Sequence, residues 1–458
     1  MKKLTILFLC ILSFPVLGQV KYAYYSKAEV KQDLNFAYEK LTNIHPLFLD
    51  ENKLSLYKNQ FSKIENSVKD SMTQNEVYIL LAPLFASLND GHTGIIIPME
   101  QRKAYSAAGG KSFPFFVDII NDSVYVSFFC GNDTSLFQNG EQILEINGIN
   151  ATEIVRNMEP LFSGNLQKVK QREIAQNFRF LIWMLYGFED NYVLSIKDNQ
   201  NNIKKLTVTG VTSTDFMKNI KHMPKTKQAY YDLQINQSTE TAVLKIKSFG
   251  DLNGFCAFAD SAFMKIKEYK IQNLVIDIRN NGGGRSVVVD SLMNYLTDKN
   301  YAQYKKIKVR ISPELKEHYK VRYPDRSDWI NKYGIDDFVV LDHNEQKPDI
   351  NNKHFDGKLF LLTNNLTFSA AATFAGVFKN LEMGTIIGEE TGGTISYFGD
   401  FWFLSTPHSK ITFYVSPKQF IQYGGQDYNK GVIPDCIVAD TDNAIINYTN
   451  NLIEKDYK

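Results

Sequence analysis

The chain has 458 residues, more than one typical domain, and its 44% hydrophobic and 22% charged residues are ordinary globular values that exclude a disordered chain. Lys+Arg 51 against Asp+Glu 50 leave a formal net charge of +1. With no basic run interleaved with aromatics, nucleic acid is set aside as a partner.

The first twenty residues, MKKLTILFLCILSFPVLGQV, combine two lysines, an apolar stretch from Leu4 to Leu17 and a small residue, Gly18, before Gln19. This is the pattern of a secretory signal peptide over 1–19, so the expected location is exported, periplasmic or secreted. The apolar run is shorter than the roughly 20 residues a spanning helix needs, and Pro15 interrupts it. No other stretch approaches that length, so no stable membrane insertion is expected after cleavage. Apart from Cys10, the cysteines are Cys130, Cys256 and Cys436, with no CxxC pair, which indicates neither a disulfide framework nor a metal site.

Residues 20–105 carry helical periodicity, with Val30, Leu34, Ala37 and Leu41, then Val77, Leu80, Leu81, Leu84 and Phe85, at three- and four-residue steps. Residues 106–212 read as a compact β-rich unit: FPFFVDII and SVYVSFF flank an Asn121-Asp122 turn, QILEI runs into an Asn147-Gly148 turn and a helix, and YVLSIKDNQNNIKKLTV is a hairpin. From 225 to 458 strands and helices alternate, the pattern of an α/β domain.

Three short elements carry chemistry. In NLVIDIRNNGGGRS, 273–286, a buried strand runs into three glycines and a helix; glycine there allows positive φ, so backbone N–H groups can face a carbonyl oxygen or an anion, and a plain sharp turn is the alternative. In LLTNNLTFSAAATFAGVFKN, 361–380, Ser369 stands between a strand and a small-residue helix. It reads either as the helix N-cap or as a nucleophile whose neighbour Ala370 supplies an oxyanion-hole amide; its own segment leaves both open. In ASLNDGHTGI, 86–95, a tight turn is expected to expose His92, one of seven histidines, at a domain edge, where imidazole can serve as a base near neutral pH.

Together these segments resemble peptidases of the S41 family, which includes C-terminal processing proteases and the core of the tricorn protease. The resemblance rests on LNDGHTG (88–94), GEQILEINGI (140–149), VIDIRNNGGG (275–284), LTNNLTFSAAATFAG (362–376), IIGEETGG (386–393) and GVIPD (431–435), in the family's order. It implies an α/β chain with a ClpP/crotonase-like catalytic domain, a helical N-terminal region and a PDZ-like domain at 106–212. It also implies Ser369 as nucleophile, with Gly283, or neighbouring Gly284, and Ala370 as oxyanion-hole donors.

The processing branch carries a lysine 25 positions after the serine, where this chain has Thr394. The tricorn-like branch uses a histidine, which His92 matches. There a preceding serine and a distant acid assist it; here the preceding residue is Gly91 and the nearest acid is Asp427, with Glu389, Glu390 or a plain surface turn at 427 as alternatives. The expected function is an exported serine peptidase acting on peptides or unfolded proteins, without metal or organic cofactor, and an oligomer is compatible with the family. The alternative is a weak or inactive relative that binds a peptide or apolar ligand. A crotonase-type acyl-CoA enzyme is disfavoured by the leader.

Overall fold

Two of the early helices start where a serine or threonine and a glutamate three residues later satisfy each other's amides. Ser26 with Glu29 opens Lys27–Ile44, and Thr73 with Glu76 opens Gln74–Ala86. The first buries Val30, Leu34, Ala37 and Leu41 along one face. The second buries Val77, Leu81, Leu84 and Phe85, while Leu80 stays half-buried. The structure is a computed structural model that describes residues 22–222, 229–342, 345–349, 352–423, 430–441 and 443–456; the expected leader and Asp427 lie outside the described residues.

Strands Phe115–Ile120, Ser123–Phe129, Gln142–Ile146, Asn191–Lys197 and Ile203–Thr209 form an antiparallel sheet in that order. Asn121 and Asp122 both have positive φ (50° and 63°), as do Asn147 and Gly148 (50° and 80°), the geometry of tight hairpin turns. Helix Gln167–Tyr186, which the sequence reading absorbed into a β-rich unit, packs on Phe115–Ile120. Its start carries no cap signal, because Leu166 at the N-cap offers no side-chain acceptor; its end is marked by left-handed Gly187. Residues from Val30 to Val208 share one hydrophobic core, which also takes Ile411, Phe413 and Val415 from far along the chain.

The C-terminal α/β sheet runs Tyr231–Asn236, Thr241–Ile246, Asn273–Asp277, Lys358–Thr363, Thr385–Gly388, Cys436–Ile437. Its first pair is antiparallel and the rest parallel. Central strand Asn273–Asp277 is buried throughout, as a strand covered on both faces must be. Leu274 and Ile276 pack toward helices Leu252–Glu268, Ser286–Met293 and Ala370–Asn380, and Val275 packs toward helix Ala444–Asp456.

A further pairing decides where His92 sits. Strand Gly94–Ile95, two residues on, pairs with Thr412–Val415, so the histidine loop is joined to the C-terminal domain through backbone hydrogen bonds. Ser416 reinforces the junction: its Oγ donates to His92 O at 2.8 Å and its N–H to Thr93 Oγ1 at 3.1 Å.

Candidate active site

Strand Lys358–Thr363 ends in a loop tied to the glycine loop. Asn364 Nδ2 donates to Asp440 Oδ2 (2.8 Å) and to Asn280 Oδ1 (3.1 Å), and Phe368 N–H to Asn281 O (2.9 Å). Arg279 grips Asp277 with Nε and Nη2 (2.9 and 2.8 Å) and reaches Asp440 with Nη1 (2.8 Å), so one charged clamp holds both loops. Ser369 then takes φ 51° and ψ −127°, a conformation rare for any residue with a Cβ, and its side chain makes no cap hydrogen bond. Such backbone strain costs on the order of 1–3 kcal/mol and persists only where surroundings impose it.

The glycine loop presses on this turn. A Cβ at Gly283 (φ 98°) would lie 2.7 Å from Ser369 Cβ and 2.9 Å from Ala370 N, so only glycine allows the approach. Gly283 N–H donates to Asn281 Oδ1 at 2.8 Å, while the amides of Gly284 and Ala370 have no hydrogen-bond partner among the described residues. Of the expected oxyanion donors, Gly283 is therefore engaged within the loop, and Gly284 and Ala370 are available.

His92 stands beside the same turn. Its ring stacks on Phe368 at 4.7 Å and on Tyr397 at 5.2 Å. The tight turn does not expose the imidazole: it is 6% exposed, because the two aromatic rings enclose it. A Cβ on Gly91 would meet Phe368 Cζ at 2.7 Å, which explains why no side chain precedes the histidine.

Asp90, fully buried, faces His92 Nδ1 at 3.9 Å and accepts from the His92 N–H at 2.9 Å. Its other oxygen lies 3.3 Å from Nε2 of buried His45, whose Nδ1 accepts from Leu47 N–H, so the proton on Nε2 points at Asp90. Burial pushes the Asp90 carboxyl up, but His45 and then His92 outweigh it and hold it below the usual range. Burial depresses His92, with Asp90 partly opposing. At neutral pH the ring is thus uncharged, and Nε2 is buried without a partner among the described residues.

Tyr397 neighbours both the serine and the histidine. Its hydroxyl, kept protonated by burial, bonds with Thr373 Oγ1 (3.0 Å) and Tyr304 Oη (3.0 Å), with the Ser369 side chain close by. A cleft of about 560 Å³ opens beside the turn, lined by Gly91, Gly282, Phe368, Ile95, Ile97 and Leu161 among others.

Residues 240–438, which include the glycine loop and Ser369, match the model of peptidase family S41. This segment, a little under half of the chain, is what the chain shares with the serine peptidases of family S41. Among solved structures, mature CPAF superposes with a TM-score of 0.64 at 13% identity, covering 94% of this chain and 96% of that one. Mature CPAF complexed with lactacystin gives 0.63 at 14% identity, covering 94% and 97%. At these identities the likeness concerns the fold, which extends over the N-terminal helices and the insert as well as the S41 domain.

The remaining sequence candidates lie elsewhere. Glu389 accepts from the amides of Asn365 (3.5 Å) and Asp440 (3.4 Å), and Glu390 from that of Gly431 (2.8 Å). Neither is bonded to His92. Thr394 is buried, its hydroxyl donating to Ser396 O at 2.9 Å. Sequence reasoning missed Asp90 as the partner of His92, although it lies two residues before it in the quoted segment. It also missed His45 and Tyr397, which no local motif marks.

Proposed function

We propose that the chain hydrolyses peptide bonds through an acyl-enzyme on Ser369, with His92 as base, Asp90 orienting it, and the amides of Ala370 and Gly284 receiving the oxyanion. The observation that carries this reading is the strained, uncapped Ser369 beside a buried histidine whose Nε2 has no partner. A serine serving only as N-cap would have extended backbone and would bond an amide of its helix.

In the reaction, Ser369 Oγ turns from Tyr397 and gives its proton to His92 Nε2 as it attacks the carbonyl carbon. The oxyanion is held by backbone N–H groups, each worth roughly 100- to 1000-fold in rate. His92 then returns the proton to the leaving amine; a water, deprotonated by His92, attacks the ester and releases the acid and free Ser369. The PDZ-like reading of the 106–212 sheet assigns that unit to holding substrate rather than to chemistry. The leader places the enzyme outside the cytoplasm, and no described helix is long and apolar enough to cross a membrane.

The test is labelling of the purified protein with a fluorophosphonate probe, read by intact mass. The expected result is one adduct, absent in Ser369→Ala, on a chain shorter by about the first 19 residues. Absence of labelling, where a control serine hydrolase reacts, would favour a binding protein on this scaffold.

A further inference from the structure

Arg102, on helix Glu100–Ala107, and Arg179, on helix Gln167–Tyr186, line a second pocket of about 420 Å³ together with Lys103, Ser106, Ser112 and Phe216. Three cations line it and no carboxylate does. Arg179 is held in place: Nε donates to Phe113 O at 2.7 Å, Nη2 to Ser112 Oγ at 3.1 Å, and its guanidinium carbon lies 3.8 Å from the Phe216 ring centroid. Arg102 lies over Tyr105 and Trp183 at 5.4 and 5.7 Å, and its Nη1 is buried with no hydrogen-bond partner among the described residues.

Acids of the flanking segments are engaged elsewhere. Glu189 accepts from Trp183 Nε1, Asp190 pairs with Lys111, and Asp215 accepts from the Thr212 hydroxyl. Burial depresses both arginines, Arg179 to about 10 with Arg102 adding to the effect, so both remain charged at neutral pH. Two partly buried cations that repel each other, with a donor left over, form an arrangement that a bound anion would complete. Stacking on aromatic rings compensates part of the desolvation but leaves Nη1 unsatisfied.

We propose that this pocket is a carboxylate-binding subsite for the peptide substrate, with Arg102 and Arg179 receiving one planar carboxylate of the bound chain. Guanidinium forks match carboxylate geometry and tolerate burial better than ammonium groups do. Met99 lines both this pocket and the cleft that reaches Phe368, the residue before Ser369, so a chain anchored here has a route toward the serine turn. The inference rests on the peptidase reading only for the ligand's being a peptide. The carboxylate belongs either to a peptide C-terminus or to an Asp or Glu side chain.

Binding to the full-length Ser369→Ala chain, measured by calorimetry at low salt, separates these without requiring turnover. The probes are N-acetylated ten-residue peptides of alanine, leucine and serine: one with a free C-terminal carboxylate, one amidated, and one amidated with a single internal glutamate. At least one carboxylate peptide is expected to bind tenfold or more tighter than the uncharged amide, and which one does identifies the source. Arg102→Gln should reduce that peptide to the affinity of the amide without lowering the thermal midpoint, since it removes an unpaired buried charge. Equal binding of all three peptides would overturn the proposal, and that comparison needs no arginine variant. So would a folded Arg102→Gln chain that keeps the preference, or one that loses thermal stability with no change in the preference.

Discussion

Two serines of the C-terminal domain each stand immediately before a helix, and the chain treats them oppositely. Ser312 has extended backbone, φ −117° and ψ 162°, and its hydroxyl accepts from Leu315 N–H at 3.1 Å, the usual cap. Ser26, Asp50, Thr73, Asn150, Thr212 and Asp251 cap their helices in the same way. Ser369 does not: with φ 51° its side chain is turned from the helix amides. A cap typically stabilises by ~1 kcal/mol and left-handed strain costs ~1–3 kcal/mol, so local energetics favour the Ser312 arrangement. The difference teaches that at 369 local stability yields to placement. The hydroxyl and the Ala370 amide are both kept out of helix capping, beside a glycine that admits no side chain.

The strongest way to break this comparison is through turnover. Ser369→Ala and His92→Ala should each lower kcat on an unfolded protein substrate by on the order of a million-fold, and the double variant should be no worse than either single, because residues that act as one unit are not additive. Ser312→Ala should leave kcat unchanged. Near-normal turnover in His92→Ala would remove the histidine from the reaction and reopen the search for a base.

Asp90 sharpens the comparison from the histidine side, with a smaller effect. Asp90→Asn should lower kcat by ~100- to 10,000-fold, since the carboxylate orients the ring and stabilises its protonated form during turnover. The pH profile carries the sign. A base acts when neutral, and burial depresses His92, so the wild-type kcat/KM should stay level through neutral pH and fall tenfold per unit only below a midpoint under ~6.5. Asp90 opposes that depression, so Asp90→Asn should move the midpoint further toward acid. A midpoint that moves up would contradict the pairing of Asp90 with His92.

What the sequence makes legible divides along similar lines. Motifs contiguous in the chain could be read directly: Ser369, Ala370, Gly283, Gly284 and His92 all come from short segments, and in the structure Gly283 presses on Ser369 and Ala370 while His92 stacks on Phe368, the residue before the serine. The hairpin turns at 121–122 and 147–148 were legible for the same reason, since asparagine, aspartate and glycine announce positive φ locally. Contacts made across the fold were not. Tyr397 reaches Ser369 from a strand laid beside Lys418–Ile421, and His45 meets Asp90 across a gap of 45 residues. Nor does the periodicity of the Asp90 segment reveal that two aromatic rings would bury the imidazole that its turn seemed to present to solvent. Helix Gln167–Tyr186 escaped because its start has no capping residue to announce it.

The smallest expected effect tests the comparison itself, through stability rather than rate. Ser312→Ala removes a real cap and should cost ~1 kcal/mol in urea unfolding, read as a lower midpoint at unchanged slope. Ser369→Ala removes no cap and keeps the strained backbone. The neighbouring Tyr397 hydroxyl keeps its bonds to Thr373 and Tyr304, so the change should stay within about 0.5 kcal/mol. Ser369→Gly should stabilise by roughly 1 kcal/mol, because glycine adopts this φ without strain and that relief exceeds its greater loss of chain entropy. If Ser369→Ala proves as costly as Ser312→Ala, the hydroxyl at 369 contributes to helix capping after all. The contrast between the two serines would then disappear, and with it the observation on which the nucleophile assignment chiefly stands.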